Sequence, residues 1–298
     1  METAKAPGKI ILFGEHAVVY GYPGIAVPVK NAEIEVSVSH SDYFSYETDR
    51  ELYKEEKECL NELVDLIFFQ LEVDKKELHI KIKSTIPIAS GMGSSAALAV
   101  ALIKGIAEHF DILLTEKKIN EIAFESEKLF HGTPSGIDNT VVTYGKPVYF
   151  YDGEMQLLKL KKPIYLVIAN TGIKSSTKEV VSGVRQRYER YKEEYSALFD
   201  KIGEITEKAK TAFENGEIEQ LGELMDKNHA LLQQIDVSCK ELDELVETAK
   251  LAGALGAKLA GAGKGGNIVA LVDESSKDKV IEALKKISKN VIYTEIKP

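Results

Sequence analysis

The feature that most restricts the fold is a glycine-serine loop that runs directly into an alanine-rich helix former, at residues 86–100. This segment reads IPIASGMGSSAALAV and crosses two glycines and three serines before the alanine run begins. Such a loop leaves backbone N–H groups unpaired at the positive end of the helix dipole. The sequence therefore predicts a local anion site or, if the pattern serves local structure alone, a serine-capped helix.

Because the chain is acidic overall, we expect any anionic ligand to be bound by a local site. The formal net charge is −9, which argues against a broad basic face for nucleic acid, because such binding needs many neutralised phosphates. The loop does not match the Walker A pattern, GxxxxGK[ST], since it lacks the lysine. The positive charge must therefore come from elsewhere in the chain.

Length and residue usage predict an ordinary globular protein of two domains. The chain has 298 residues, of which 44% are hydrophobic and 8 are prolines, enough for two cores. Strands dominate up to about residue 160 and helices after it, which predicts an N-terminal domain, 1–160, with the phosphate-binding loop, and a C-terminal domain, 161–298. The boundary is approximate.

Cysteine usage and the N-terminal sequence predict a cytoplasmic protein. Cys59 and Cys239 are the two cysteines, far apart and outside any CxxC pattern, so neither a disulfide framework nor a zinc site is expected. The apolar run near the N-terminus is interrupted at Gly14, well short of a signal peptide or membrane span. Neither export nor a membrane partner is expected.

Hydrophobic periodicity predicts alternating strands and helices. Helices are expected over 51–71, from Gly93 to about 110, over 115–130, and from Thr177 onward. Strands are expected over 9–13, 25–29, 32–39, 78–84, 140–151, 164–169, 267–272 and 290–296.

The predicted helix after Thr177 carries a long apolar stripe. Its members recur at steps of three and four residues, which places them on one face. An internal packing face explains the pattern, and a dimer interface is the alternative. The stripe consists of Val181, Val184, Tyr188, Tyr191, Tyr195, Leu198, Ile202 and Ile205.

A second glycine cluster, GAGKGG at 261–266, formally satisfies GxGxxG. We expect a helix before it and a strand after it, which is the reverse of the dinucleotide-binding order. The glycines then indicate that packed backbone or a ligand lies against the loop.

Three segments together resemble the signature motifs of the GHMP kinases, which act on galactose, homoserine, mevalonate and phosphomevalonate. They are APGKIILFGEHAVVYG at 6–21, PIASGMGSSAALAVAL at 87–102 and KLAGAGKGGNIVAL at 258–271. Residues 125–139 and 170–181 resemble the members that act on mevalonate. The resemblance departs at Lys264, where glycine is usual, and at Ala260, where threonine is common.

The resemblance implies an α+β, two-domain GHMP kinase fold, with an N-terminal ribosomal-protein-S5-like domain and a C-terminal ferredoxin-like α+β domain. It implies ATP-dependent phosphorylation of the 5-hydroxyl of (R)-mevalonate, with Mg²⁺ as cofactor and ATP as co-substrate. A homodimer is the expected assembly. The rivals are another GHMP kinase acting on phosphomevalonate or a sugar, a non-catalytic ligand-binding member, and an RNA-binding relative.

Roles on the phosphate side follow from the same resemblance. The loop that cradles the ATP phosphates consists of Ser90, Gly91, Met92, Gly93, Ser94 and Ser95. Ser94 also maps to a Mg²⁺ ligand, together with Glu127, and both are hard oxygen donors of the kind that Mg²⁺ prefers. Taken alone, Glu127 would be a solvated helix residue.

Roles on the substrate side complete the expected site. Asp138 is the candidate catalytic base, and Lys9 is expected to pair with it and to lower the pKa of the attacking alcohol. Glu15 and His16 map to the mevalonate pocket. Local alternatives stay open: an Asx turn for Asp138, a solvated charge for Lys9 and Glu15, and a turn or core histidine for His16.

Overall fold

The structure is a computed structural model that describes residues 2–87, 90–131 and 134–298. Residues 88–89 of the segment 86–100 and residues 132–133 of the segment 125–139 lie outside the described residues. The chain forms two compact units, each made of separate stretches. The first unit comprises Met1–Lys9, Lys30–Ile88 and Met92–Gly145, and the second comprises Ile10–Val29, Ala89–Gly91 and Lys146–Pro298. The predicted boundary near residue 160 stays a prediction.

Strands and helices alternate along the described chain. The strands are β1 Glu2–Phe13, β2 Gly24–His40, β3 Ser45–Thr48, β4 Leu78–Ser84, β5 Val148–Tyr151, β6 Glu154–Leu157, β7 Ile164–Asn170, β8 Gly256–Ala260, β9 Asn267–Val272 and β10 Asn290–Ile296. The helices are α1 Lys54–Leu71, α2 Ser94–His109, α3 Glu116–His131, α4 Ile137–Tyr144, α5 Thr177–Arg190, α6 Lys192–Asn215, α7 Ile218–Gln234, α8 Lys240–Leu251 and α9 Lys277–Lys285. A 3₁₀ turn occupies Ala17–Tyr20.

The first unit packs α2 onto a small sheet. Strand β4 pairs antiparallel with β2, with Ile34 opposite Ser84, and β3 lies parallel to β4. Helix α2 sits directly on β2, because a Cβ at Gly105 would lie 3.2 Å from Cγ1 of Val36. Helices α3 and α4 pack against α2, so the start of each of these helices is fixed by the core.

The second unit is built on a four-stranded antiparallel sheet in the order β10-β7-β9-β8. Every residue of β8 and β9 is buried. Helix α7 lies directly on β8, since a Cβ at Gly256 would lie 2.0 Å from the carbonyl oxygen of Gly222. This close contact brings polar residues of α7 next to the strand that precedes the second glycine cluster.

Most predicted elements are confirmed. The strands predicted separately over 25–29 and 32–39 form the single strand β2, and three other elements are corrected. Helices and strands occur at the expected places for α1, α2, α3, β4, β7, β9 and β10. The predicted strand over 140–151 is wrong in its first part, which is the end of α4. Its β-branched run, VVT, favours a strand, but contacts of Asn139 and Thr140 with Asn120 of α3 decide otherwise, since tertiary packing overrides propensity.

The single helix predicted after Thr177 is two helices. Tyr191 has φ −125° and ψ 53°, which separates α5 from α6, and its side chain is 45% exposed. The apolar stripe is therefore interrupted where the helix breaks. Other members are buried, as a packing face requires: Val184, Tyr195, Leu198, Ile202 and Ile205.

The helix expected directly before the second glycine cluster is the strand β8. The cluster therefore connects two antiparallel strands, β8 and β9, and the pattern is unrelated to dinucleotide binding in this context. None of the helices in the described residues is both long enough and apolar enough to cross a membrane.

Candidate active site

Lys9 and Asp138 form an ion pair in the first unit. The Lys9 side chain is nearly buried, and its Nζ lies 3.0 Å from Oδ1 of Asp138. Asp138 stands in the first turn of α4, where the helix dipole favours a carboxylate. The predicted pairing is thus present, and Asp138 keeps 30% of its side chain exposed, so one face of the carboxylate is available to a ligand.

The predicted phosphate loop packs against the stem of Lys9. The Lys9 amide donates to the carbonyl oxygen of Met92 at 2.9 Å. Gly93 has φ +66°, and a Cβ there would lie 2.8 Å from Cγ of Lys9. Helix α2 then begins at Ser94, whose residue is exposed, while Ser95 is half-buried. An open helix N-terminus next to a fixed ammonium suits a polyphosphate.

The earlier part of the same loop is held within the second unit. Ser90 is 8% exposed, and its carbonyl oxygen accepts a hydrogen bond of 2.7 Å from Nδ2 of Asn267, at the start of β9. Gly91 follows with φ +69° and is exposed. The loop backbone is therefore anchored on both sides of its most open residue.

Glu127 is buried on α3, more deeply than the sequence predicts. Taken alone, it is expected to be a solvated helix residue, yet it is 2% exposed, and its neighbour Ser126 is completely buried. Its helix packs against α2, which carries Ser94. A buried carboxylate and an exposed hydroxyl are hard oxygen donors, so this donor set fits Mg²⁺.

The described residues contain no group of three metal-ligating side chains. Mg²⁺ in kinases is held by one or two protein oxygens, with water and substrate phosphates supplying the rest. The two donors, Ser94 and Glu127, match that requirement in number and type.

A network of amide hydrogen bonds, which was not predicted from the sequence, fixes α4 against α3. Nδ2 of Asn139 donates to Oδ1 of Asn120 at 2.7 Å. Nδ2 of Asn120 donates to Oγ1 of Thr140 at 3.3 Å. Both α4 residues are nearly buried. Because they directly follow Asp138, this network sets where its carboxylate stands.

Glu15 is buried in the second unit and is fully engaged. Its residue is 1% exposed, and Oε1 forms an ion pair with Nζ of Lys258. Nδ2 of Asn228 donates to Oε2 at 3.2 Å. Neither partner was predicted from the sequence, because residues 256–260, which include Lys258, were not expected to form a strand.

His16 is buried beside Glu15 and is uncharged. Its Nε2 donates to the carbonyl oxygen of Ala262 at 2.8 Å. Burial lowers the pKa of His16 from 6.5 to about 4; the Ala262 carbonyl opposes this, and the cations of Arg187 and Lys258 add to it. Because the single N–H of the neutral ring is donated to Ala262, Nδ1 is left as an acceptor.

A second histidine extends the network behind Lys258. The amide of Leu259 donates to Nδ1 of His229 at 3.2 Å, so the proton sits on Nε2, which lies 3.1 Å from Oδ1 of Asp243. Burial lowers the pKa of His229, although Asp243 acts in the opposite direction. His229 therefore links α7 and α8 to the backbone of β8 as a neutral ring.

Packed backbone accounts for part of the second glycine cluster. A Cβ at Gly263 would lie 2.0 Å from the carbonyl oxygen of Val237, and that oxygen accepts from the Lys264 amide at 2.7 Å. Lys264, where the family has glycine, has Nζ 2.5 Å from Oδ1 of Asp236 and is 40% exposed. It is an ion-paired surface residue, and Ala260 is the buried end of β8.

A cavity of about 350 Å³ opens beside the start of α5. Ser176 caps this helix by accepting a hydrogen bond of 3.3 Å from the Glu179 amide. Arg187 joins the cavity wall and also acts on His16 through its charge. The cations of the wall are Lys174, Arg187 and Lys264.

Comparison with known proteins gives two family matches. The model for the GHMP kinases N terminal domain matches residues 57–146, and the model for the GHMP kinases C terminal matches residues 209–290. The predicted metal ligand Glu127 on α3 and the predicted base Asp138 on α4 lie within the first match.

Similar proteins match along the whole chain. The mevalonate kinase of Pyrococcus furiosus is 36% identical over 323 aligned positions, covering 98% of this chain and 95% of its own length. That of Pyrococcus abyssi is 38% identical over 310 positions, covering 95% and 91%. The crystal structure of L. major mevalonate kinase in complex with R-mevalonate superposes with a TM-score of 0.90 at 32% identity, covering 100% and 96%.

Proposed function

This chain belongs to the GHMP kinases and has their α+β, two-domain fold, and on that basis we propose that it transfers the γ-phosphoryl group of ATP to the 5-hydroxyl of (R)-mevalonate, giving 5-phosphomevalonate and ADP. Its activity is that of a mevalonate kinase, since its relatives match over nearly their full length. The observation that carries the mechanism is the ion pair of Lys9 and Asp138 beside the N-terminus of α2.

Proton transfer falls to Asp138. Its carboxylate accepts the proton of the 5-hydroxyl as the oxygen attacks the γ-phosphorus, and the bond from that phosphorus to the β,γ-bridging oxygen breaks. The Lys9 ammonium holds the Asp138 carboxylate in an ion pair and stabilises negative charge on the attacking oxygen. Its near-complete burial strengthens both effects, because the local dielectric is low.

Phosphate binding falls to the loop and to the helix that follows it. Backbone N–H groups from Ser90 to Ser95 and the dipole of α2 would hold the triphosphate. Ser94 and Glu127 would hold Mg²⁺, which neutralises charge on the phosphate oxygens when bound. The net charge of the chain is −9, so the positive potential at the phosphates comes from these local groups.

Substrate recognition falls to Glu15, His16 and the cavity beside α5. Mevalonate carries a carboxylate and two hydroxyls, and Glu15 with neutral His16 offers acceptors for the hydroxyl protons, at the carboxylate and at the His16 Nδ1. Arg187, in the wall of the cavity, offers a planar cation for the carboxylate. Two nearby cations are engaged elsewhere, Lys258 with Glu15 and Lys264 with Asp236, which disfavours binding of a substrate phosphate by either of them.

We further propose that the protein is a cytoplasmic homodimer. Its domains span residues 1–160 and 161–298. The two cysteines are unpaired thiols, which agrees with a reducing compartment. Sedimentation of the purified protein tests the dimer.

Phosphomevalonate remains the specific alternative substrate, because Lys174 and Arg187 share one cavity wall. The test is ADP release with Mg-ATP and, separately, mevalonate, phosphomevalonate, galactose or homoserine. Turnover with mevalonate alone is expected. Turnover with one of the other three alcohols would change the assigned substrate but keep the family. If none of the four alcohols is phosphorylated, the chain is better described as a non-catalytic ligand-binding member.

A further inference from the structure

The hairpin of β8 and β9 is attached to two adjacent residues of the proposed substrate pocket. Lys258 of β8 forms the ion pair with Glu15, and Ala262, in the loop between the strands, accepts from Nε2 of His16 at 2.8 Å. Lys258 and Ala262 are four residues apart in the hairpin, and their partners, Glu15 and His16, are adjacent in the sequence. The orientation of both pocket side chains therefore depends on this hairpin.

Lys258 is an unusual residue for its place. Its side chain is completely buried, in a strand whose five residues are all buried. Burial lowers the pKa of Lys258, and the Glu15 carboxylate opposes that shift. A buried ion pair is weak support for stability, because desolvation costs about as much as the attraction returns. Its presence here calls for a role other than holding the fold together.

The contacts of Lys258 and Asn228 fix the Glu15 carboxylate from two directions. Nζ reaches Oε1, and it also donates to the carbonyl oxygen of Leu259 at 2.7 Å. Nδ2 of Asn228 reaches Oε2 at 3.2 Å. With both oxygens engaged, the carboxylate plane has a single orientation, which suits a group that must meet a small substrate at a defined angle.

We propose that Lys258 is a positioning residue of the mevalonate pocket, which holds the Glu15 carboxylate in the orientation that binds mevalonate and has no part in binding ATP. This inference rests on the proposed function, in which Glu15 and His16 contact mevalonate. Asn228 acts with Lys258 by fixing the second carboxylate oxygen. Neither residue transfers a proton or contacts the phosphates.

The test is a comparison of steady-state constants for Lys258→Met, Lys258→Arg and Asn228→Ala. We expect Lys258→Met to raise KM for mevalonate at least ten-fold while KM for ATP changes less than two-fold. Lys258→Arg should recover part of the loss, and Asn228→Ala should raise KM for mevalonate three-fold or more. The control is Lys250→Met. Lys250 lies on α8 and forms a partly exposed ion pair with Asp226, which is on α7 like Asn228.

A double substitution separates positioning from general damage. If Lys258 acts through Glu15, adding Lys258→Met to Glu15→Gln should lower kcat/KM for mevalonate by less than three-fold. Full additivity of the two losses, or equal increases of KM for ATP and mevalonate, would overturn the proposal. If Lys258→Met fails to fold, Lys258→Arg and Asn228→Ala decide, and unchanged KM for mevalonate in both overturns it.

The wild-type protein distinguishes this inference from the proposed function. Absence of wild-type turnover with mevalonate would contradict the function itself. Normal wild-type turnover, with KM for mevalonate unchanged in the folded variants, would contradict only the role of Lys258.

Discussion

The stem of Lys9 occupies the space that a side chain at Gly93 would need: a Cβ there would lie 2.8 Å from Cγ of Lys9. The absence of a side chain in the phosphate loop thus allows the proposed catalytic ammonium to reach Asp138. The later part of the loop, from Met92, and the catalytic pair form one packed arrangement within the first unit. A substitution in this part of the loop should therefore change the rate of the chemical step.

Gly93→Ala should lower kcat as well as weaken ATP binding, because the new methyl group displaces Lys9 from Asp138. The matched control is Gly91→Ala: its φ of +69° is similar, but its Cβ would have no described atom within 4 Å. In both variants the alanine must adopt a left-handed backbone conformation, which costs about 1 kcal/mol. We expect kcat about ten-fold lower for Gly93→Ala than for Gly91→Ala, a loss typical of misplaced catalytic groups. Equal kcat values would contradict the coupling.

Glu127→Gln should raise the Mg²⁺ concentration needed for half-maximal rate, since the substitution removes a charge from the proposed metal site. Measured at fixed ATP, we expect the requirement to rise about ten-fold or more and excess Mg²⁺ to restore much of the rate, as for a lost ligand. The control is Glu125→Gln, two residues earlier on α3, where Glu125 forms an exposed ion pair with Lys128. An unchanged Mg²⁺ requirement in Glu127→Gln would remove it from the site.

Arg187→Met should raise KM for mevalonate more than KM for ATP, because it removes the cation proposed to meet the substrate carboxylate. The loss of a charged hydrogen bond predicts an increase of about ten-fold or more. Arg185→Met is the control: Arg185 is two residues away on α5 and forms an exposed pair with Glu189. Because Arg187 also bonds the hydroxyl of Tyr195 at 2.9 Å, unfolding curves must accompany the kinetics. A folded variant with unchanged KM for mevalonate would refute this role.

Acidification should destabilise the protein through His16. Its pKa is lowered by burial from 6.5 to about 4, so the unfolded chain binds the proton first. The stabilisation is complete above pH 6.5 and is lost as the pH falls toward 4. Urea unfolding at pH 7.5 and 4.5 should show a loss about 2 to 3 kcal/mol larger in the wild type than in His16→Asn. Equal losses in both proteins would contradict a neutral, buried His16.

Local patterns in the sequence were sufficient for much of the first unit. The loop before α2 was predicted from its glycines and serines, and the pairing of Lys9 with Asp138 is confirmed as a contact at 3.0 Å. Helix α4 was not predicted, because its β-branched run favours a strand and the contacts that decide its conformation come from Asn120 on another helix.

The network around Glu15 shows why the rest of the site could not be predicted. Lys258 lies 243 positions from Glu15 along the chain, and Asn228 lies 213 positions away. Hydrophobic periodicity reports which face of an element is buried, and it carries no information on which distant polar partner meets it. The lysine in β8 and the asparagine in α7 each break an apolar pattern, but only the tertiary structure brings them together.

The central claim is that Asp138 takes the proton from mevalonate in a site organised by Lys9. The most direct measurement is mevalonate-dependent ADP release by Asp138→Asn beside the wild type, with ATP binding measured on both proteins. We expect 5-phosphomevalonate from the wild type and a kcat lower by about 10²- to 10⁴-fold in Asp138→Asn, with ATP affinity within two-fold. A folded Asp138→Asn that retains near wild-type kcat would contradict the account.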